Sequence, residues 1–179
     1  MTFRWLLLVG CMAVLLSACS TMSVNECKLA NWQDVGLRDG LAGAEMKLLD
    51  ERIKDCAEAL VPVDTTAYLR GRDQGLASYC RLDNAVRQGV DGKGYAGVCP
   101  SQVDAEFRRR WQAGMDLYRA RADLASMESR RRSLEHRLRE APTDDERTRA
   151  RNDLSELDWR MRAARDHVRD AEWALDRLR

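Results

Sequence analysis

Near the end of the chain the apolar positions fall at helical spacing. Ala150, Leu154, Leu157, Met161, Ala164, Val168, Ala171, Leu175 and Leu178 alternate steps of four and three. Such a seam lines one stripe of a helix and needs a partner stripe to cover it. Leu117, Ala120, Leu124, Met127, Arg131, Leu134 and Leu138 repeat the pattern upstream, with Arg131 as the misfit. Between the two runs lies Ala141-Pro142-Thr143-Asp144, where proline ends one helix and Thr143 or Asp144 can cap the next. Two helices of matching pattern joined by a short turn predict an antiparallel coiled-coil hairpin over 101–179. At 1.5 Å per residue its later helix extends about 50 Å.

Residues 27–100 follow a different pattern. Trp32-x-x-x-Gly36-x-x-x-Gly40-Leu41-Ala42 is echoed by Tyr68-x-x-Gly71-x-x-x-Gly75-Leu76-Ala77, both glycines displaced by 35 positions. A fainter copy is Trp111-x-x-Gly114-x-x-x-Tyr118. Glycines four apart share a helical face, at a cost of about 1 kcal/mol each relative to alanine. That face either lets a second helix approach closely or, with Trp32, Tyr68 and Tyr95, offers a glycine–aromatic platform for a cell-wall or surface glycan. Asp64 can cap a helix that begins at Thr65 or Thr66. The glycines from Gly89 to Gly97 indicate a loop, which Tyr95 can pin to the core. It is not a phosphate loop, because no Gly-Lys-Ser/Thr end follows. The expected fold is mainly α, a small disulfide-stapled helical module followed by the hairpin.

At the N-terminus Arg4 precedes an uncharged apolar run from Trp5 to Leu16, and Leu16-Ser17-Ala18-Cys19 closes it. The layout is that of a secretory leader, too short to span a bilayer. Its end resembles the lipobox of bacterial lipoproteins. This implies removal of residues 1–18, acylation of Cys19, a short linker over 19–26 and a stable membrane anchor. Ser20, in place of an aspartate, points to the outer membrane, with the body facing the periplasm.

Charge adds little, since 30 Lys+Arg balance 29 Asp+Glu. Balance gives no pull toward polyanions. Arg108-Arg109-Arg110 and Arg130-Arg131-Arg132 stand among acidic residues as solvated helix faces, and export removes nucleic acid as a target. Cysteine usage is more informative. Apart from Cys11 in the leader and Cys19, four cysteines remain: Cys27, Cys56, Cys80 and Cys99. An even set in an exported protein reads as two disulfides. Without a Cys-x-x-Cys pair, a metal site is disfavoured. Three connectivities are open. If 34–58 and 66–83 are antiparallel helices, Cys27 meets Cys80 and Cys56 meets Cys99.

No Gly-x-Ser-x-Gly or His-Glu-x-x-His is present, and His136 and His167 stand apart on the hairpin helices. No enzyme, cofactor or metal is expected. Trp159 and Trp173 lie two heptads apart, opposite the seam. They are the candidate contact with the module, a second copy or another envelope protein.

Cys27, Trp32, Gly36, Asp39-Gly40, Gly43, Cys56, Tyr68, Gly71, Gly75-Leu76, Tyr79-Cys80, Gly89, Gly92, Tyr95, Gly97-Val98-Cys99-Pro100, Phe107, Gly114 and Tyr118 together form a specific pattern. Over residues 25–120 it resembles a family of small bacterial envelope lipoproteins known as domain of unknown function 2799. The resemblance implies a lipobox, a cysteine–glycine–aromatic module and a charged tail of variable length, with no established activity. Arg52 stands where family members often carry histidine, and Ala85 replaces a frequent glycine. The resulting expectation is a lipid-anchored structural or scaffolding protein acting through the hairpin, or alternatively a glycan-binding module.

Overall fold

The computed structural model describes residues 21–178, so the leader, Cys19 and Ser20 lie outside the described residues. Within them are seven helices and no strand: α1 Val24–Leu29, α2 Trp32–Ala42, α3 Lys47–Glu58, α4 Thr65–Tyr79, α5 Leu82–Val90, α6 Ser101–Glu140 and α7 Asp144–Asp176. Polar side chains set the starts. Asn31 accepts from Gln33 and Asp34 N–H at α2, Asp64 accepts from Ala67 N–H at α4, and Thr143 accepts from Glu146 N–H at α7. Each satisfies backbone donors that the first turn leaves free.

The continuous helix expected over 34–58 is interrupted. Gly43 takes φ +66, its N–H reaching the Gly40 carbonyl while Ala44 N–H reaches that of Asp39. This left-handed cap closes α2, and the ring of Tyr79 lies where a Cβ on residue 43 would stand. The helix expected over 66–83 likewise stops at Tyr79, and α5 begins after Arg81.

Close packing decides the first helix pair. A Cβ on Gly36 would lie 1.9 Å from the Tyr68 carbonyl oxygen, one on Gly40 2.3 Å from that of Arg72, and Gly43 faces Tyr79. In return, Gly71 faces Gln33 and Gly75 faces Leu37 and Leu41. Positions rise together on both helices, so α2 and α4 run parallel, with α3 carrying the chain back between them. The expected antiparallel arrangement is therefore corrected, and with it the cysteine pairing. Cys27 joins Cys56 and Cys80 joins Cys99, each with Cα atoms 5.5 Å apart. In a parallel pair the end of α4 lies far from Cys27, whereas α3 runs back and brings Cys56 to it.

The same device recurs in the second pair. Gly89 of α5 faces Trp111, Gly114 and Met115 of α6, and Gly92, at φ +71, sits under the ring of Tyr118. Gly89, Gly92, Gly114 and Tyr118 thus repeat Gly40, Gly43, Gly75 and Tyr79, again in a parallel pair. Ala85 and Arg110 take the places of Gly36 and Gly71, so this crossing has one glycine contact where the first has two. Tyr79 is buried, its ring centroid 5.5 Å from that of Phe107, whereas Tyr118 is exposed.

From Leu117 onward, α6 packs on α7. Leu134, Leu157 and Met161 form a buried cluster, flanked by Leu124, Met127 and Leu154. Arg121 on α6 pairs with Glu172 on α7 at 2.7 Å, so early positions of one helix meet late positions of the other. The helices are therefore antiparallel, about 60 and 50 Å long. Every seam position read from the sequence is buried or half-buried. Arg131 is half-buried, its Nε 3.2 Å from Glu135 Oε1 but unaligned for a hydrogen bond.

Candidate functional site: the outer face of the last helix

The seam turns Trp159 and Trp173 away from α6. They remain 66% and 72% exposed, so neither packs on the module or the neighbouring helix. Helical periodicity turns the intervening Asp166 to the same side, with Arg162, Arg169 and Asp170 beside it. Arg169 Nη2 donates to Asp166 Oδ1 at 2.6 Å, and all four charged residues are exposed. This face carries two large apolar side chains amid both signs of charge, which suits contact with protein better than with a polyanion.

Elsewhere the candidate residues are structural. Trp32 is buried and Tyr68 fully so, and neither ring is available as a platform. Tyr95 pins its loop. Its hydroxyl hydrogen bonds Asp104, accepts from Cys99 N–H at 3.2 Å, and its ring lies 4.6 Å from that of Phe107. Burial, and then the bond to Asp104, push the Tyr95 phenol up to about 12. Asp104 is drawn below its usual value, first by Tyr95 and next by Arg108. The four cysteines sit in the two core clusters of the module. Among the described residues no group of three or more His, Cys, Asp or Glu side chains converges as metal ligands would.

One cluster went unrecognised in the sequence. Asp39 is buried beside the tight face of α2, where Arg52 grips it with two hydrogen bonds, Nε to Oδ2 at 3.1 Å and Nη2 to Oδ1 at 2.9 Å. Tyr68 donates to the same Oδ2 at 2.8 Å. Burial raises the Tyr68 phenol, and this hydrogen bond raises it further. The signal was present: a carboxylate between Gly36 and Gly40 must enter the packed face and requires a partner there. Arg52, noted only as a substitute for histidine, is that partner. Arg72 is buried nearby, its Nη2 donating to the Ala44 carbonyl at 2.7 Å.

The model of a family described as "Protein of unknown function (DUF2799)" matches residues 31–116. That segment carries the family's pattern from end to end. The match begins at the cap of α2 and ends two residues past Gly114, so it spans both glycine crossings and stops as α6 leaves the module. The uncharacterized protein YfiL of Escherichia coli strain K12 is 29% identical over 87 residues, which cover 48% of this chain and 67% of that protein. No solved structure matches the chain. Trp159 and Trp173 lie beyond the matched family segment.

Proposed function

We propose that this chain is a lipid-anchored scaffold of the bacterial envelope that binds a protein partner through the outer face of α7. The observation that carries the reading is the exposure of Trp159 and Trp173 at 66% and 72% on a helix whose seam is otherwise covered. Aromatic residues of this kind dominate protein interfaces because they bring large apolar area at small entropic cost. The DUF2799 module is the base, and the lipid on Cys19 holds it at the outer membrane, facing the periplasm. Thr21 N–H and Oγ1 donate to Asp55 Oδ2 at 2.6 and 2.7 Å. A lipid on Cys19, two residues earlier, therefore leaves little slack between anchor and fold. No catalytic step is assigned, and the burial of Trp32 and Tyr68 disfavours the glycan platform.

The test is photocrosslinking in cells from positions beside the two tryptophans, with mass spectrometry of the mature N-terminus. Trp159→Ala with Trp173→Ala should remove the crosslinks while helicity and melting stay unchanged, and Cys19 should carry fatty acid. Crosslinks that survive the double substitution would remove the partner face. An unacylated terminus would remove the anchor.

A further inference from the structure

We infer that the module docks on the bilayer that takes up its anchor, dipping the loop after α3 into the lipid at Leu60. The inference rests on the reading of Cys19 as the lipidated residue and names the surface which that lipid holds against the membrane.

Leu60 is strained and unburied at once. Val61 N–H reaches the Cys56 carbonyl and Leu60 N–H that of Ala57, a paired closure that ends α3 with residue 60 left-handed, at φ +58. Glycine takes this conformation freely, whereas a leucine is strained in it. Among the described residues no other side-chain-bearing residue has a positive φ. Nothing within the fold offsets the strain, because the side chain is 92% exposed, the highest value among the large apolar residues described. Val61 and Val63 pack with Ala30 on the module's first core cluster, while Leu60 and Pro62 stay exposed. Leu29, 85% exposed, belongs to the same end of the module. It follows Cys27 by two residues, and Cys27 is bonded to Cys56, four residues before Leu60.

The occupant follows from where the chain enters the fold. Thr21 donates to Asp55 through both N–H and Oγ1, and Met22 N–H donates to the same oxygen at 3.3 Å. Cys19 lies two residues earlier, a reach of about 7 Å. Asp55 is one helical turn, about 6 Å, from the cap of α3 at Ala59. Acyl chains on Cys19 therefore enter the bilayer beside this end, where Leu60 and Leu29 project. The exposed charges nearby carry both signs, Lys28 and Lys54 with Glu26, Glu58 and Asp64, so headgroup charge supplies no net pull. Apolar contact holds the module, and a shallow dip to the headgroup–acyl boundary leaves Glu58 and Asp64 hydrated. Asp64 caps α4 at this same end, and Cys80 at its far end, about 20 Å away, is bonded to Cys99. The long helix α6 thus starts on the side of the module away from the membrane.

The test places the full acylated protein in vesicles of phosphatidylethanolamine and phosphatidylglycerol whose acyl chains carry a nitroxide quencher. A fluorophore is attached at Pro62→Cys, beside Leu60, or at Met46→Cys, an exposed apolar position at the opposite end of α3, with both disulfides verified first. The label at 62 should be quenched and the label at 46 should not. Adding Leu60→Gly should lower the docked-to-free ratio about tenfold, the effect of losing one buried leucine. The unfolding midpoint in detergent should hold or rise, because glycine relaxes the cap. Acylated protein that floats with the vesicles yet shows no quenching at 62, equal quenching at both positions, or indifference to Leu60→Gly would overturn the docking and leave the anchor standing. Crosslinking of the loop to a foreign protein, with no quenching at 62, would give Leu60 to that protein and overturn the docking as well. An unacylated N-terminus would remove anchor and docking together.

Discussion

The module and the hairpin are both pairs of packed helices, yet they are held in opposite ways. In the hairpin, side chains fill the space between the axes, with Leu134, Leu157 and Met161 buried between α6 and α7. In the module the missing side chains matter most. Gly36, Gly40, Gly71 and Gly75 bring backbone against backbone, and a Cβ on any of them would fall 1.9 to 2.4 Å from a carbonyl oxygen. A seam of Leu, Met and Ala tolerates change, because neighbours can repack. A glycine crossing tolerates almost none, since its obstacle is the partner's backbone. The crossing itself contributes no side chains, so the module's buried residues, Trp32, Tyr68, Tyr79 and Phe107 among them, lie around it, and a module of this size gains from further support. The two disulfides provide it, each closing a loop that contributes about 3 kcal/mol. The tie of Arg52 to Asp39 adds to it.

Substitutions can break this comparison. The largest effect is expected at Gly36→Ala, where the helices must part. Stability should fall by about 3 kcal/mol or more, read by denaturant unfolding, and an unchanged midpoint would mean that the crossing is looser than described. In the hairpin, Met161→Ala leaves a cavity and should cost about 2–3 kcal/mol. The module's disulfides and crossings should survive it, so partial proteolysis should release an intact module. Gly114→Ala meets its nearest obstacle at 2.7 Å, in the looser second pair. It should cost only about 1 kcal/mol, because helix propensity gained offsets part of the strain. Gly94→Ala meets nothing within 4 Å and should change stability by no more than about 0.5 kcal/mol. A series that does not follow this order would show that proximity to backbone is not the controlling variable.

The smallest effect concerns acid. Arg109, and then Arg110, hold the half-buried Glu106 carboxyl down to about 2 from a usual value of 4.5. A carboxyl depressed in the folded state contributes stability that is complete above the unfolded value and fades as pH falls through the folded one. Glu106→Gln should therefore flatten the acid limb of the unfolding curve between about pH 4.5 and 2. A limb of unchanged slope would show that this pairing is fully screened.

The hairpin was legible in the sequence because its signal is local. Spacings of four and three define a stripe, Pro142 and Thr143 mark the turn, and the stripe is buried as expected. The outward placement of Trp159 and Trp173 follows from the same periodicity. In the module the displacement of 35 positions between glycine pairs was visible, and close helix packing was the correct reading of it. Direction was not legible, because a glycine face serves a parallel or an antiparallel neighbour equally well. That ambiguity carried the cysteine pairing with it. The grip of Arg52 on Asp39 joins residues on separate helices, and nothing in either neighbourhood names the other.

Sequence alone determined the helical class, the seam, the cysteine set and the two outward tryptophans, because each rests on composition or on the period of one helix. Tertiary structure alone decided that α2 and α4 run parallel, that Cys27 meets Cys56 and Cys80 meets Cys99, and that Gly89 and Gly114 repeat the first crossing. Those outcomes depend on how far α3 carries the chain back and on which backbones then fit together, and no single segment holds that information.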